Sequence, residues 1–179
     1  MGGAMAGIEN TGDVTTANPA AFRCPRFKEL PDMGLYLEQT LGVVNDALAP
    51  ILSDPITSPM MNNYVKKGVV PAAVKKRYYR EHLAYLVVMA ILKPVFTVDE
   101  VARFYEIQKT TYPLDVAYDF VIREFENALH AAFDFTGEAL PCIESARTDQ
   151  TVLVRAMVLA AANHVFVEHY LRRGEIPRA

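Results

Sequence analysis

The segment that most constrains the fold of this chain is 58–82, because it combines helix-start, helix-stop and strand-like residues within a short span. Ser58 is suited to cap a helix, and Pro59 is suited to its first position. Gly68 can end the same helix in the left-handed conformation, which glycine adopts at no steric cost. The pattern predicts a helix over 59–67, a ribbon over 69–80 and a second helix that begins at Arg80.

The predicted short helix separates its side chains by polarity. On a helical wheel with about 100° per residue, one side carries the apolar residues Met60, Met61, Tyr64 and Val65. The other side carries two amides and two ammonium groups, from Asn62, Asn63, Lys66 and Lys67. A helix of this kind docks on a core through one face and presents hydrogen-bonding groups with the other. The polar face is therefore a candidate recognition surface.

The ribbon predicted at 69–80 is rich in cations. Two strand-like stretches, 69–71 and 77–79, flank a short connection of mostly small residues. We therefore expect a small two-stranded β-wing, which needs helices packed behind it to be stable. Its candidate contact residues are Lys75, Lys76, Arg77, Tyr79 and Arg80.

The same segment concentrates positive charge on an acidic chain. It contains six of the 18 Lys and Arg residues and one of the 21 acidic residues, which leaves twelve basic and twenty acidic residues elsewhere. This asymmetry favours an anionic partner, and double-stranded DNA is the first candidate. Asparagine can pair with adenine and lysine with guanine in the major groove, while cations on a wing suit phosphates. A charged surface without a nucleic-acid partner is the plain alternative.

Apolar residues recur at helical spacing through most of the remaining chain. They predict helices over 35–52, 80–92, 113–133 and 148–171, a helix capped by Thr97, and a turn at 137–141. The last helix is apolar around most of its circumference, which predicts burial on several sides and a homodimer formed through it. The predicted fold class is all-α, with a small β-wing and a C-terminal two-helix layer.

Two stretches, ITSPMMNNYVKKGVVP at 56–71 and KKRYYREHLAYLVVMAILKPVFTVDEVARFYE at 75–106, resemble the winged helix-turn-helix of the MerR-type regulators. Three shorter stretches, PRFKELPDMGLYLEQ at 25–39, MMNNYVKKGVVP at 60–71 and KKRYYREHLAYL at 75–86, resemble the bacterial family called domain of unknown function eighteen thirty-six. The MerR resemblance implies a transcriptional regulator that places the helix at 59–67 in the major groove and the wing at 69–80 on phosphates. Asn62 stands where MerR-type proteins usually have arginine, two residues before the helix tyrosine.

The chain is expected to have three parts: a disordered tail at 1–22, a winged helix-turn-helix head at 23–110, and a helical region at 111–179 packed on the head. The tail lacks the features of a signal peptide, and 152–167 is too short and too polar to span a bilayer. A cytoplasmic location without membrane contact is therefore expected. Cys24 and Cys142 lie far apart, which predicts neither a disulfide framework nor a zinc site.

The sequence offers no motif of an enzyme, since it has no P-loop, no G-x-S-x-G and no dinucleotide fingerprint. His164 and Glu168 lie one helical turn apart without a third ligand, so neither a metal nor a cofactor is expected. Helix bundles do build pockets for small molecules, and a small-molecule effector stays open. The alternative function is a helical protein-interaction or ligand-sensing module that does not bind DNA.

Overall fold

The computed structural model describes residues 19–134 and 147–173, and within them the regular structure is helical, without β-strands. The all-α class is confirmed. Two short 3-10 helices, Pro19–Ala21 and Phe27–Glu29, come first. They are followed by α1 (Leu37–Leu48), α2 (Ser58–Lys66), α3 (Arg80–Leu92), α4 (Val98–Lys109), α5 (Leu114–Phe133) and α6 (Asp149–Arg173).

Helix α3 lies at the centre of the fold. From His82 to Leu92 every side chain except that of Tyr85 is buried, so the helix has almost no solvent-facing side. It contacts α1, α4, α5 and α6. An apolar helix of this kind is stable only when neighbours cover it all round, and the surrounding helices do so.

The helix boundaries differ from the predicted ones where local backbone groups are needed elsewhere. Helix α1 begins at Leu37 rather than 35, because the N–H and C=O of Leu35 pair with Tyr78. It ends at Leu48 rather than 52, close to Pro50, which has no N–H to continue the helix. Helix α2 begins at Ser58, and Thr57 rather than Ser58 is the N-cap residue.

The predicted two-stranded β-wing is wrong in its extent. The described residues contain two isolated antiparallel bridges, Val74 with Arg77 and Leu35 with Tyr78, in place of a ribbon. The predicted strands 69–71 and 77–79 cannot pair over a longer stretch, because Tyr78 already pairs with Leu35 and α3 begins at Arg80. Pro71 also lacks the N–H that a ladder would use.

Residues 19–29, which span the predicted junction of tail and head, pack on α5. Phe22, placed in the predicted disordered tail, is buried edge-to-face against Phe125 at 6.2 Å between ring centroids. The Glu126 carboxylate accepts the Cys24 N–H at 2.9 Å and two guanidinium bonds from Arg26 at 2.9 and 2.6 Å. Residues 19–22, which were predicted to be disordered, are placed against α5 with Phe22 buried, and the Glu126 carboxylate holds Cys24 and Arg26, which follow them.

Helix α6 was expected to be buried on several sides, and the structure covers only part of it. Its buried side contains Val154, Met157, Val158, Ala161, Ala162 and Val165, while its exposed apolar residues are Val152, Leu159, Val167 and Leu171. Among the described helices, 149–172 alone is long and apolar enough to cross a membrane, and 33% of the most apolar window is buried inside the protein. A core helix of a soluble protein has the same properties, so this observation is weak evidence for a membrane span. The turn predicted at 137–141 lies outside the described residues.

Candidate nucleic-acid interface

Helix α2 docks through one face, as its sequence predicts. Met61 and Tyr64 are buried, and burial raises the pKa of the Tyr64 hydroxyl. Asn62, Asn63 and Lys66 are exposed, and their side chains make no hydrogen bond or ion pair within the described parts of the chain. Three hydrogen-bonding groups are thus available to a partner on the outward face of a firmly seated helix.

The end of α2 is fixed by backbone hydrogen bonds. Gly68 has a φ of 72°, in the left-handed region where glycine is favoured. The N–H groups of Val69 and Val70 both donate to the Tyr64 carbonyl oxygen, at 2.9 and 3.3 Å. Both valine side chains are buried, which fixes the direction in which the chain leaves α2. We call residues 69–80, which follow α2 and its glycine, the basic segment.

Two adjacent lysines form a strained turn. Val74 and Arg77 exchange two backbone hydrogen bonds, at 2.9 and 3.0 Å, and enclose Lys75 and Lys76 with φ angles of 50° and 65°. Successive positive φ angles define the type I′ turn, which asparagine and glycine normally form. A non-glycine residue in this region costs roughly 1–2 kcal/mol. We call residues 74–77 the lysine turn; both of its lysines are exposed and, among the described residues, have no ion-pair partner.

Arg77 has partners inside the chain. Its guanidinium donates to the Gly34 carbonyl oxygen at 2.9 Å and to the Tyr36 hydroxyl at 3.0 Å, and it lies 4.2 Å from the centre of the Tyr36 ring. A Cβ atom at Gly34 would come within 2.9 Å of side-chain atoms of both Arg77 and Tyr79, so a larger residue here would displace these side chains. Arg77, which was predicted to contact phosphate, therefore anchors the lysine turn to Gly34 and Tyr36.

Arg80 is also engaged within the chain. Its Nε donates to the Leu30 carbonyl oxygen at 3.0 Å, and its guanidinium lies 3.7 Å from an Asp32 carboxylate oxygen. His82 accepts the Tyr79 N–H with Nδ1 at 3.0 Å. Its Nε2 lies 3.1 Å from the Ala72 carbonyl oxygen, to which it donates in the matching neutral tautomer. These contacts tie both ends of the basic segment to α3.

The predicted contact residues therefore differ in whether another group of the chain already pairs with the side chain. Arg77 and Arg80 form the internally paired group. Lys67 joins the internally paired group, because its Nζ lies 2.9 Å from an Asp99 carboxylate oxygen at the start of α4. The sequence showed where the cations are but not which ones have partners, since Gly34, Tyr36 and Asp99 are distant in the chain. Five side chains remain accessible and unpaired within the described residues: Asn62, Asn63, Lys66, Lys75 and Lys76. The ninth predicted contact, Tyr79, is 38% exposed, and its ring centre lies 6.3 Å from that of His82.

A large open cavity lies beside α2. Its volume is about 820 Å³, and it is lined in part by Met60 and Asn63 of α2 and by His164 and Glu168 of α6. Ser53 donates to Glu168 at 2.6 Å, and His164 Nε2 lies 3.6 Å from the same carboxylate. In the described part of the chain, no group of three His, Cys, Asp or Glu side chains is placed to hold a metal ion.

One comparison with known proteins returned a match. The sequence model of a protein family described as Domain of unknown function (DUF1836) matches residues 25–128. That span contains α1 to α4 and most of α5, and it includes the whole basic segment. Neither the search of curated proteins nor the search of solved structures found a match.

Proposed function

We propose that this chain, which belongs to the family described as Domain of unknown function (DUF1836), is a DNA-binding regulator of transcription. In this proposal the first four helices act as a MerR-like winged helix-turn-helix. Helix α2 enters the major groove, and the lysine turn takes the place of a longer wing on the phosphate backbone. The family name assigns no activity, so the proposal rests on the residues of this chain.

The conformation of the lysine turn is the observation that carries the proposal. Two consecutive lysines occupy φ angles that normally require asparagine or glycine, and both ammonium groups point to no acid among the described residues. Strained backbone of this kind is concentrated at functional sites, where the surrounding structure maintains it. A polyanion explains why lysines are present here, because charge-assisted contacts with phosphate offset the strain.

The outward face of α2 supports sequence readout rather than phosphate contact alone. Asn62 and Asn63 carry amides that can bond adenine bidentately, and Lys66 can reach guanine acceptors. On the helical wheel Lys66 lies opposite the buried pair Met61 and Tyr64, at the centre of the exposed face. Asn63 also lines the large cavity, which leaves Asn62 and Lys66 as the residues best placed for base contacts.

The proposed DNA complex contains two copies of the chain. A single short recognition helix reads few bases, and regulators of this type double their contacts through a two-fold dimer. Helix α6 offers a surface for this purpose, since Leu159 is 50% exposed whereas its neighbour Val158 is 2% exposed. We expect Leu159→Glu to give a folded monomer in light scattering and Val158→Glu to unfold the chain. A wild-type chain of 19.9 kDa that stays monomeric on a palindromic duplex would refute the dimer.

The DNA proposal is tested by selecting duplexes from a random pool with the purified full-length protein. We expect an enriched motif, bound at physiological salt more tightly than random duplex. Asn62→Ala should cost roughly 1–3 kcal/mol on that motif and much less on random DNA. Arg123→Gln, which removes an exposed cation from α5, serves as the charge-matched control for Lys66→Ala. No enrichment, together with unchanged binding by the Lys66 variant, would reject the proposal.

Ligand sensing without DNA binding is the second candidate function, and the cavity beside α2 favours it. Its volume of about 820 Å³ lies within the range of small-molecule sites. His164, Glu168 and Ser53 provide polar groups on a mostly apolar lining. The selection experiment separates the two candidates, since a pure sensor enriches no duplex.

A further inference from the structure

A second, smaller cavity lies where α3, α4 and α5 meet the connection between α4 and α5. Its volume is about 240 Å³. Five of its thirteen lining residues are aromatic: Tyr85, Phe104, Tyr105, Tyr112 and Tyr118. The cavity is separate from the basic segment, and none of the candidate DNA contacts lines it.

One polar group in this cavity has no partner. Gln108, on the last turn of α4, is 6% exposed, and its amide nitrogen makes no hydrogen bond within the described part of the chain. Neighbouring hydroxyls do have acceptors: Tyr105 donates to the Tyr85 carbonyl oxygen at 2.7 Å, and Tyr118 donates to the Pro25 carbonyl oxygen at 2.9 Å. A buried donor left without an acceptor destabilises the folded state, so each such group requires an explanation.

We propose that this cavity binds a neutral aromatic compound of one or two fused rings that carries a hydrogen-bond acceptor. The aromatic wall suits a flat ring system, and the acceptor would take the free N–H of Gln108. A cavity of about 240 Å³ is larger than the roughly 150 Å³ cavity that holds benzene in another protein. The site is independent of the proposed DNA contacts.

The ligand should be uncharged because the cavity offers no free ion. Lys109 is the cation on its wall, and its Nζ already lies 2.9 Å from a Glu106 carboxylate oxygen. The same ammonium lies 5.7 Å from the centre of the Tyr85 ring, and this cation–π contact stabilises it further. Burying a charged ligand against aromatic rings without a counter-ion would be costly.

Quinoline and naphthalene test the proposal, since the two molecules have the same shape and only quinoline has a ring nitrogen acceptor. Each is titrated into the full-length protein without DNA, and binding is followed by two-dimensional NMR of backbone and side-chain amides. We expect quinoline to bind at least about tenfold more tightly, in line with one hydrogen bond to a buried donor. The side-chain amide resonance of Gln108 should shift with quinoline.

Two variants locate the site. Gln108→Leu removes the donor and should make quinoline bind no more tightly than naphthalene, because the ring nitrogen would then lose its hydrogen bond to water without replacement. Gln108→Met is the substitute if the leucine variant does not fold. Ala117→Leu fills the cavity and should abolish binding of both compounds, whereas Ala131→Leu, farther along α5 and outside this cavity, should change neither. Equal affinities of the two compounds for the wild type, no quinoline binding at millimolar concentration, or wild-type quinoline affinity in the filled variant would each overturn the proposal.

Discussion

Replacing the two central residues of the lysine turn should raise stability and weaken DNA binding at the same time. The change is Lys75→Asn with Lys76→Gly, which supplies the residue pair preferred at these two positive φ angles. Val74 and Arg77 are untouched, so the two backbone hydrogen bonds that close the turn are kept. Replacing two ordinary surface lysines would not raise the free energy of unfolding. A gain in stability together with a loss of DNA affinity therefore distinguishes strained phosphate contacts from ordinary surface charges.

The magnitudes follow from the backbone and from counter-ion release. Relief of two left-handed lysines returns roughly 1–2 kcal/mol each, and the added freedom of glycine in the unfolded chain removes about 0.5–1 kcal/mol. The free energy of unfolding should therefore rise by about 1–3 kcal/mol, and Tm by roughly 2–4 °C per kcal/mol. Loss of two phosphate contacts lowers the slope of log K against log salt by about 1.8 per subunit and weakens binding about 30-fold at 0.15 M salt.

Denaturant unfolding and salt-titrated duplex binding measure the two effects on the same preparations. The control, Arg123→Gln with Arg147→Gln, removes the same charge from exposed positions in the C-terminal region. It should change neither the salt slope nor the free energy of unfolding by a comparable amount. A turn variant that is less stable than wild type would refute the strain argument. A variant that is more stable but binds duplex with an unchanged slope would refute the phosphate contacts.

Three further predictions concern single residues. Lys67→Ala should weaken duplex binding less than Lys66→Ala, because Lys67 is held by an α4 carboxylate; binding titrations at one salt concentration compare them. Glu126→Gln should lower the free energy of unfolding by about 1–3 kcal/mol, since it leaves Arg26 without its carboxylate in a mostly buried site; urea unfolding checks this. Burial raises the pKa of Cys24 to about 11, so at pH 8 about 0.1% of it is thiolate and native alkylation should be much slower than in urea.

The features that local sequence signals specify were predicted well. The span 80–92 was predicted as a helix because its apolar residues recur at helical spacing, and α3 has those bounds. Thr97 was predicted to cap α4, and its hydroxyl accepts the Glu100 N–H at 3.3 Å while the Glu100 carboxylate accepts the Thr97 N–H at 2.8 Å. Both predictions depend on residues within one or two turns of each other.

The features that depend on distant residues were not predicted. The wing was expected from strand-like residues at 69–71 and 77–79, but the partner of Tyr78 is Leu35, more than forty residues earlier. The positive φ angles of Lys75 and Lys76 run against the preference of lysine, so composition could not reveal them. Arg77 was assigned to phosphate from its place on the predicted wing, because the sequence does not show its contacts with Gly34 and Tyr36 in the folded chain.

The boundary predicted at 110 does not separate two independent cores. Arg26 and Glu126, joined at 2.6 Å, lie just inside the two ends of the family match at 25–128. This ion pair joins the two ends of the matched span, which contains α1 to α4 and most of α5. The candidate DNA contacts at 62–76 lie inside that span, while α6 and its exposed apolar side lie outside it. DNA contact is thus proposed for the part that the family match covers, and dimerisation for α6, which lies outside the matched residues.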